Sequence, residues 1–287
     1  MGESSSKRVV AFIGAYHGLG NRLRVTLGAL SLARTQGRSF SYTWPTGRRF
    51  GADLTDLWRF DERRISVAES RLLSLRHPYR NHSLEWMESA ADDSVWQIRT
   101  PHALTLPPDS EPWGRLLQRL EPVAAIEDRV RALHGERLMG RPYVGVMVRT
   151  HAVSNAQTLE HSPVEWYVQR MKEIRAERDV SFFVSADTPE AQQTIQDAIP
   201  STFALEDKGG YNTRRALESS VVDLYLLAGA GHLIGPHFSS FPEVAQQLAG
   251  PGLRLETSRS TADSRLTADD VLEFAADPLR PFDRSMR

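Results

Sequence analysis

Three short stretches of this sequence carry residues able to hold or move charge. In "GAYHGLGNRL", Gly14, Gly18 and Gly20 let the backbone approach a ligand closely, Asn21 follows them, and His17 can accept a proton. In "VMVRTH", an apolar run stops abruptly at Arg149, Thr150 and His151. A guanidinium binds two phosphate oxygens at once and stays charged at any working pH, so Arg149 suits a departing diphosphate. The plain alternative is an arginine paired with a carboxylate at a strand end. In "GPHFSSFPEVA", His237 and Phe238 lead into Ser239 and Ser240, and a helical pattern follows. Serine hydroxyls and the first free N–H groups of a helix form an anion-binding end, or simply an N-cap. His17, His151, Glu160 and His161 are the candidate general bases.

These residues need elements to position them. Val144, Val146 and Val148 alternate through a short β-branched run, which reads as a strand buried in a parallel sheet. Upstream, Lys7–Ala15 reads as a strand, "YHGLGNRLRVTLGALSLARTQG" as a helix and "SFSYTW" as a second strand. "SVWQIRT" reads as another strand, "ADLTDLWRF" as a short helix and "HPYRNHSLEWM" as loop. "EPWGRLLQRLEPVAAIEDRVRALHGERL" is helical with a break at Pro122.

After Tyr143–Arg149 the pattern becomes strictly alternating. "SPVEWYVQRMKEIRAER" is a helix with Ser162 as cap, "VSFFVSADT" a strand, "PEAQQTIQDAI" a helix and "TFALED" a strand. "TRRALESSVVDLYLLAGAG" is a helix, "HLIGPHF" a strand, "SSFPEVAQQLAG" a helix and "LRLETS" a strand. "TADDVLEFAAD" is expected to form a last helix before a polar tail. The organisation expected is a Rossmann-like domain over residues 1–135, a second over 136–260, and a helix with tail over 261–287. Two such domains would face each other across a cleft.

Composition narrows the function. Lys and Arg number 35 against 36 Asp and Glu, a net charge of -1, so nothing in bulk attracts nucleic acid or an acidic membrane surface. Without cysteine there is neither a disulfide nor a thiolate metal site, which fits a cytoplasmic setting. "VVDLYLLAGAGHLIG" is too short to span a bilayer and contains Asp223 and His232. "MGESSS" matches a loose myristoylation pattern, although a solvated leader is the expected reading.

The G-x-x-x-G-x-G spacing at Gly14, Gly18 and Gly20 is also that of short-chain dehydrogenases. Those enzymes need a Tyr-x-x-x-Lys pair. Here Tyr167 is followed at that spacing by Met171, Tyr211 by Arg215 and Tyr225 by Gly229, so the oxidoreductase reading loses its proton-transfer pair. A non-catalytic nucleotide-binding module is the other alternative.

Four segments in order, "GLGNRL", "VGVMVRTH", "FFVSADTPEA" and "DLYLLAGAGHLIGPHFSSFPEVAQQL", resemble motifs of the fucosyltransferase superfamily of GT-B glycosyltransferases. The likeness is to core α-1,6-fucosyltransferases and nodulation-factor fucosyltransferases. It implies an α/β fold of GT-B type and a nucleotide-diphosphate sugar donor, usually GDP-fucose. It also implies inversion at the anomeric carbon, no required metal and no separate cofactor. By position, Arg149 would hold the β-phosphate, Asp223 would read guanine, and Ser239 and Ser240 would hold the diphosphate, next to His237 and Phe238. Gly18, Gly20 and Asn21 would face the donor, and Asp187 matches the family's acidic strand end.

Two departures stand out. Met147 replaces a nucleotide-holding histidine, and Thr150 replaces a second arginine, for which Arg214 or Arg215 is a candidate substitute. The family's membrane anchor, stem and accessory domains have no counterpart, so a minimal, soluble, bacterial-type enzyme is expected. Its partners would be the donor and a small-molecule or glycan acceptor, as in natural-product biosynthesis. Trp44, Arg48, Arg49, Tyr79, His82 and Trp86 are candidate acceptor-wall residues.

Overall fold

A computed structural model describes residues 7–138, 141–151 and 156–285; the "MGESSS" leader lies outside them. Internal contacts divide the chain into two units, Met1–Val123 with Asn212–Leu217, and Ala124–Tyr211 with Glu218–Arg287. The division falls before the helix that sequence reading assigned to the end of the first domain. It also returns a short internal segment, containing Arg214, to the first unit.

The strands of the first unit are β1 (Arg8–Phe12), β2 (Ser39–Tyr42), β3 (Arg63–Arg64), β4 (Tyr79–Arg80) and β5 (Val95–Arg99). They form one parallel sheet in the order β3-β2-β1-β5-β4. Helices α1 (Leu19–Thr35), α2 (Val67–Ser74) and α3 (Trp113–Gln118) belong to this unit. α1 is buried on nearly every side and packs on β1, β2 and α3, which covers Leu23, Leu27 and Leu30. Candidate wall residue Trp44 is a core side chain instead, its Nε1 donating to the Ala52 carbonyl at 3.1 Å. "ADLTDLWRF" yields only a 3₁₀ turn, Leu54–Asp56, because Asp53 and Asp56 close a reciprocal capping box around it.

In the second unit, α4 (Ala124–Leu133) precedes β6 (Tyr143–Val148), and α5 (Ala156–His161) and α6 (Val164–Glu177) follow that strand. Next come β7 (Ser181–Ala186), α7 (Pro189–Ala198), β8 (Thr202–Ala204), α8 (Arg214–Gly229), β9 (His232–Ile234), α9 (Ser240–Ala249) and β10 (Leu255–Glu256). The sheet is parallel in the order β10-β9-β6-β7-β8. β6 is central, and its two faces divide the packing. Val144, Val146 and Val148 join a core with Tyr167, Met171 and Ile174 of α6 and Ile195 of α7. On the other face, a Cβ on Gly145 would meet Leu227 at 3.1 Å and Ala230 at 3.2 Å, so glycine is what lets α8 lie close.

The expected last helix does not form. Its segment carries a 3₁₀ turn, Ala262–Ser264, and a short strand β11 (Phe274–Ala275) paired antiparallel with β12 (Arg284–Ser285). The carbonyls that a helix would use internally are taken by arginines. Arg178 donates to those of Thr267, Ala268 and Asp270, and Arg284 donates to that of Glu273. Asp270 also turns back to accept from the Thr267 N–H and hydroxyl. Phe274 and Ala275 are buried as strand residues.

Candidate functional site

In the second unit the chain winds outward from β6 through β7 and β8, then returns to the other side of β6 for β9 and β10. The winding therefore reverses between β6 and β9. In open α/β sheets this switch point, at the carboxyl ends of the strands, is where ligands bind. Arg149–Thr150–His151 follow β6 and His237–Ser240 follow β9, so the fold brings two of the three chemical stretches to one crevice.

Asp187, at the end of the neighbouring β7, organises the Arg149 loop. One carboxylate oxygen accepts the Thr150 N–H at 2.8 Å, and both oxygens lie 3.3 Å from the His151 nitrogen. Arg149 Nε is 3.7 Å from the same carboxylate. The structural and ligand readings of Arg149 thus coexist. Asp187 fixes the loop while two-thirds of the guanidinium side chain's surface is covered and the rest stays open. As placed, Asp187 holds the loop. His151 stacks on Tyr211, with ring centroids 4.0 Å apart.

Sequence reading extended β9 to Phe238, but it stops at Ile234. The backbone groups beyond it bond to α5 and to the residue that follows it instead. Ser162 Oγ accepts the His237 N–H at 3.0 Å, and Thr158 Oγ1 donates to the His237 carbonyl at 3.0 Å. Ser162 is consequently engaged here and does not cap α6, whose N-cap is Pro163. Phe238 is held at φ +59°, and its ring is 59% exposed. A left-handed, exposed phenylalanine is strained and solvated at once, an arrangement typical of ligand-contact positions. Ser239 caps α9, accepting the Phe241 N–H at 3.5 Å, and Ser240 begins the helix. Glu160 is exposed on α5.

Below this end lies a buried acid. Asp223 of α8 is 3% exposed, with Oδ2 accepting from Ser185 Oγ at 2.6 Å and Lys208 Nζ at 2.8 Å. Among the described residues its Oδ1 is buried without a partner, an orphan acceptor of the kind a ligand donor satisfies. Met147 registers with Ser185 across the β6–β7 ladder, so it lines the same face as Asp223. Lys208, in the glycine-rich turn after β8, carries no sequence pattern and was missed; only folding brings it to an acid 15 residues away.

In the first unit, Gly14, His17 and Gly18 occupy the turn from β1 into α1, and Gly20 and Asn21 lie in the first turn of α1. A Cβ on Gly18 would meet nothing, so no packing demands glycine there. Among the described residues, His17 Nδ1 and Asn21 Oδ1 are buried without partners. Burial, followed by the positive charges of Arg22, Arg99 and Arg24, pushes the His17 imidazole below its ordinary value, so it is neutral near pH 7. Arg214 lies in this unit, its Nη2 3.1 Å from Asp56.

The architecture is the GT-B type, two parallel-sheet α/β units with a glycine turn at the first sheet and an anion-suited switch point at the second. Among solved structures it is similar to NodZ α-1,6-fucosyltransferase soaked with GDP-fucose, at 19% identity and TM-score 0.60, over 85% of this chain and 92% of that one. NodZ co-crystallized with GDP gives 20% identity and TM-score 0.60, over 84% and 92%. POFUT1 in complex with GDP-fucose gives 13% identity and TM-score 0.54, over 90% and 99%. These likenesses establish the fold, and they lie in the superfamily that the sequence motifs resemble. No protein-family model and no curated protein matches the sequence.

Proposed function

We propose that this protein is a fucosyltransferase-like glycosyltransferase that uses GDP-fucose, or a closely related GDP-sugar, as donor. The observation that carries the reading is the meeting of Arg149 and the Ser239–Ser240 helix end at the β6/β9 switch point. Two kinds of anion-binding group, a guanidinium and a capped helix start, serve one end of one sheet. The fold shared with enzymes solved with GDP and GDP-fucose supports the same donor class. The unpartnered Oδ1 of Asp223 suits the N–H edge of guanine.

In this reading the acceptor hydroxyl attacks the anomeric carbon and the bond to the β-phosphate oxygen breaks. GDP leaves with the bonding electrons, and the sugar carbon inverts. Arg149 and the α9 start stabilise the charge that grows on the leaving diphosphate, which is the role a metal would otherwise fill. The hydroxyl proton passes to a base, for which His17, His151, Glu160 and His161 are the candidates; of these, His17 is kept neutral by its surroundings. The acceptor is a small molecule or glycan.

The test is thermal stabilisation by GDP, UDP, ADP and NADP, followed by turnover with GDP-fucose in the presence of EDTA. GDP should stabilise most, and EDTA should leave turnover unchanged. Stabilisation by NADP alone would overturn the reading in favour of an oxidoreductase. Binding of GDP without donor turnover would leave a binding module.

A further inference from the structure

Thr150 stands where the family resemblance leads to a second cation at the diphosphate, and the substitutes suggested by sequence belong to the first unit, not to the strand ends of the second. Arg214 lies in the first unit on Asp56, and Arg215 groups with the same segment. Arg149 itself shares the Asp187 carboxylate. A nucleoside diphosphate leaves carrying more than one negative charge, so a lone arginine beside an aspartate leaves the site short of positive charge.

A different arginine reaches this end of the sheet. β10 lies parallel beside β9, with Glu256 registered to Ile234, so the chain leaving β10 emerges on the same side as His237–Ser240. Three residues beyond Glu256 comes Arg259, in a tight turn closed by Thr257 and Ser260. Its Nη2 is 3.2 Å from His161 Nδ1, at the end of α5. The His161 ring centroid is 6.0 Å from that of His237, two residues before the α9 cap. Ser162 and Thr158 in turn hold the His237–Phe238 backbone. Among the described residues Arg259 has no carboxylate partner; its guanidinium rests on a histidine ring and is largely exposed.

The base of the turn is rigid. Glu256 is buried and receives Arg170, His232 and the Leu266 N–H, which fixes the point from which the Arg259 loop departs.

We propose that Arg259 is the second cation of the donor site, binding the diphosphate at the start of α9 in place of the charge that Thr150 lacks. The proposal rests on the GDP-sugar reading of that site. A guanidinium held by a histidine edge, with no carboxylate to release, engages a phosphate without first breaking an ion pair. Its direct contact is with the phosphates and leaves base recognition untouched.

The experiment is calorimetric titration of the full chain and its Arg259→Ala and Arg259→Lys variants with GDP, guanosine and inorganic pyrophosphate. Arg259→Ala should weaken GDP and pyrophosphate about tenfold, the scale of one charge-assisted contact, and leave guanosine unchanged. Arg259→Lys should recover part of the loss. Equal GDP affinity in wild type and Arg259→Ala overturns the proposal. If wild type binds pyrophosphate but not GDP, the nucleotide reading fails while the pyrophosphate series still decides the role of Arg259. If wild type binds neither, both fail. A melting curve for each variant, expected to match wild type because the side chain is exposed, separates lost binding from lost folding.

Discussion

The two units bury an arginine near the carboxyl end of a parallel sheet in opposite ways. In the first unit Arg22 is 0% exposed and, among the described residues, has no carboxylate partner. Its Nε donates to the His17 carbonyl at 2.8 Å and Nη1 to that of Pro45 at 3.0 Å, while the guanidinium lies 3.8 Å from the Phe50 ring centroid. Burial, with Arg64 nearby, lowers its pKa to about 10, so it remains charged. In the second unit the buried Arg170 meets Glu256 through two nitrogens, and that glutamate also receives His232 and the Leu266 N–H. Burial alone would raise the Glu256 pKa, but His232, Arg170 and the Leu266 N–H outweigh it and hold the carboxyl below its ordinary value. The first unit solvates a cation with carbonyl dipoles and aromatic faces; the second neutralises it. Burial, helped by the positive field of the first unit's arginines, keeps His17 uncharged, whereas the second unit's strand ends are pre-organised by paired carboxylates.

Mutations that separate the two designs should differ in scale. Glu256→Ala takes from Arg170 its one buried carboxylate and leaves it only the more exposed Glu173 and the Leu266 carbonyl, a change worth about 3 kcal/mol. Its melting temperature should fall by about 10 °C. Comparable melting of this variant and wild type would mean the network is not the anchor described. Arg149→Ala should keep the fold and lose about a hundredfold in kcat/KM with GDP-fucose, read from initial rates. Near-normal transfer would remove the donor site from the β6/β9 switch point. Lys208→Met removes one of the two donors on Asp223 and should cost about 2 kcal/mol in denaturant unfolding, with weaker GDP binding alongside. Arg22→Met leaves two carbonyl acceptors without a donor but strands no opposite charge. It should cost about 1–2 kcal/mol, clearly less than Glu256→Ala, and equal losses would erase the contrast between the units.

The smallest effect is on pH. His17 and the buried His134 both have folded pKa values below the ordinary 6.5, His134 through burial opposed by Asp277. The unfolded chain then binds more protons than the folded one below pH 6.5, so their contribution to stability is complete above 6.5. It declines as pH falls toward the lowered folded values. Melting curves between pH 7.5 and 5.5 should show that decline, and His17→Gln should flatten it. If His17 takes the acceptor proton, the acid limb of kcat/KM should also lie below 6.5.

Much of this was legible in the chain. The alternation of Val144, Val146 and Val148, the Thr188–Pro189 and Ser239–Ser240 helix starts, and the β-α rhythm of the second half are local signals with local causes. Where reading failed, a distant group had taken over the backbone. β9 ended early because Thr158 and Ser162 bond to His237, and the last helix gave way because Arg178 and Arg284 took its carbonyls.

The sequence by itself determined that Arg149 follows a buried strand and that Ser239 and Ser240 open a helix, because strand and cap patterns are written in neighbouring residues. That these two stretches share one switch point depended on strand order. Which side chains complete them depended on it too, since Asp187, Lys208 and the proposed Arg259 are brought there only through pairings among β6, β7, β8, β9 and β10. Hydrogen-bonded strand pairing is a long-range choice with no local code. The charge balance at the site is therefore a property of the fold.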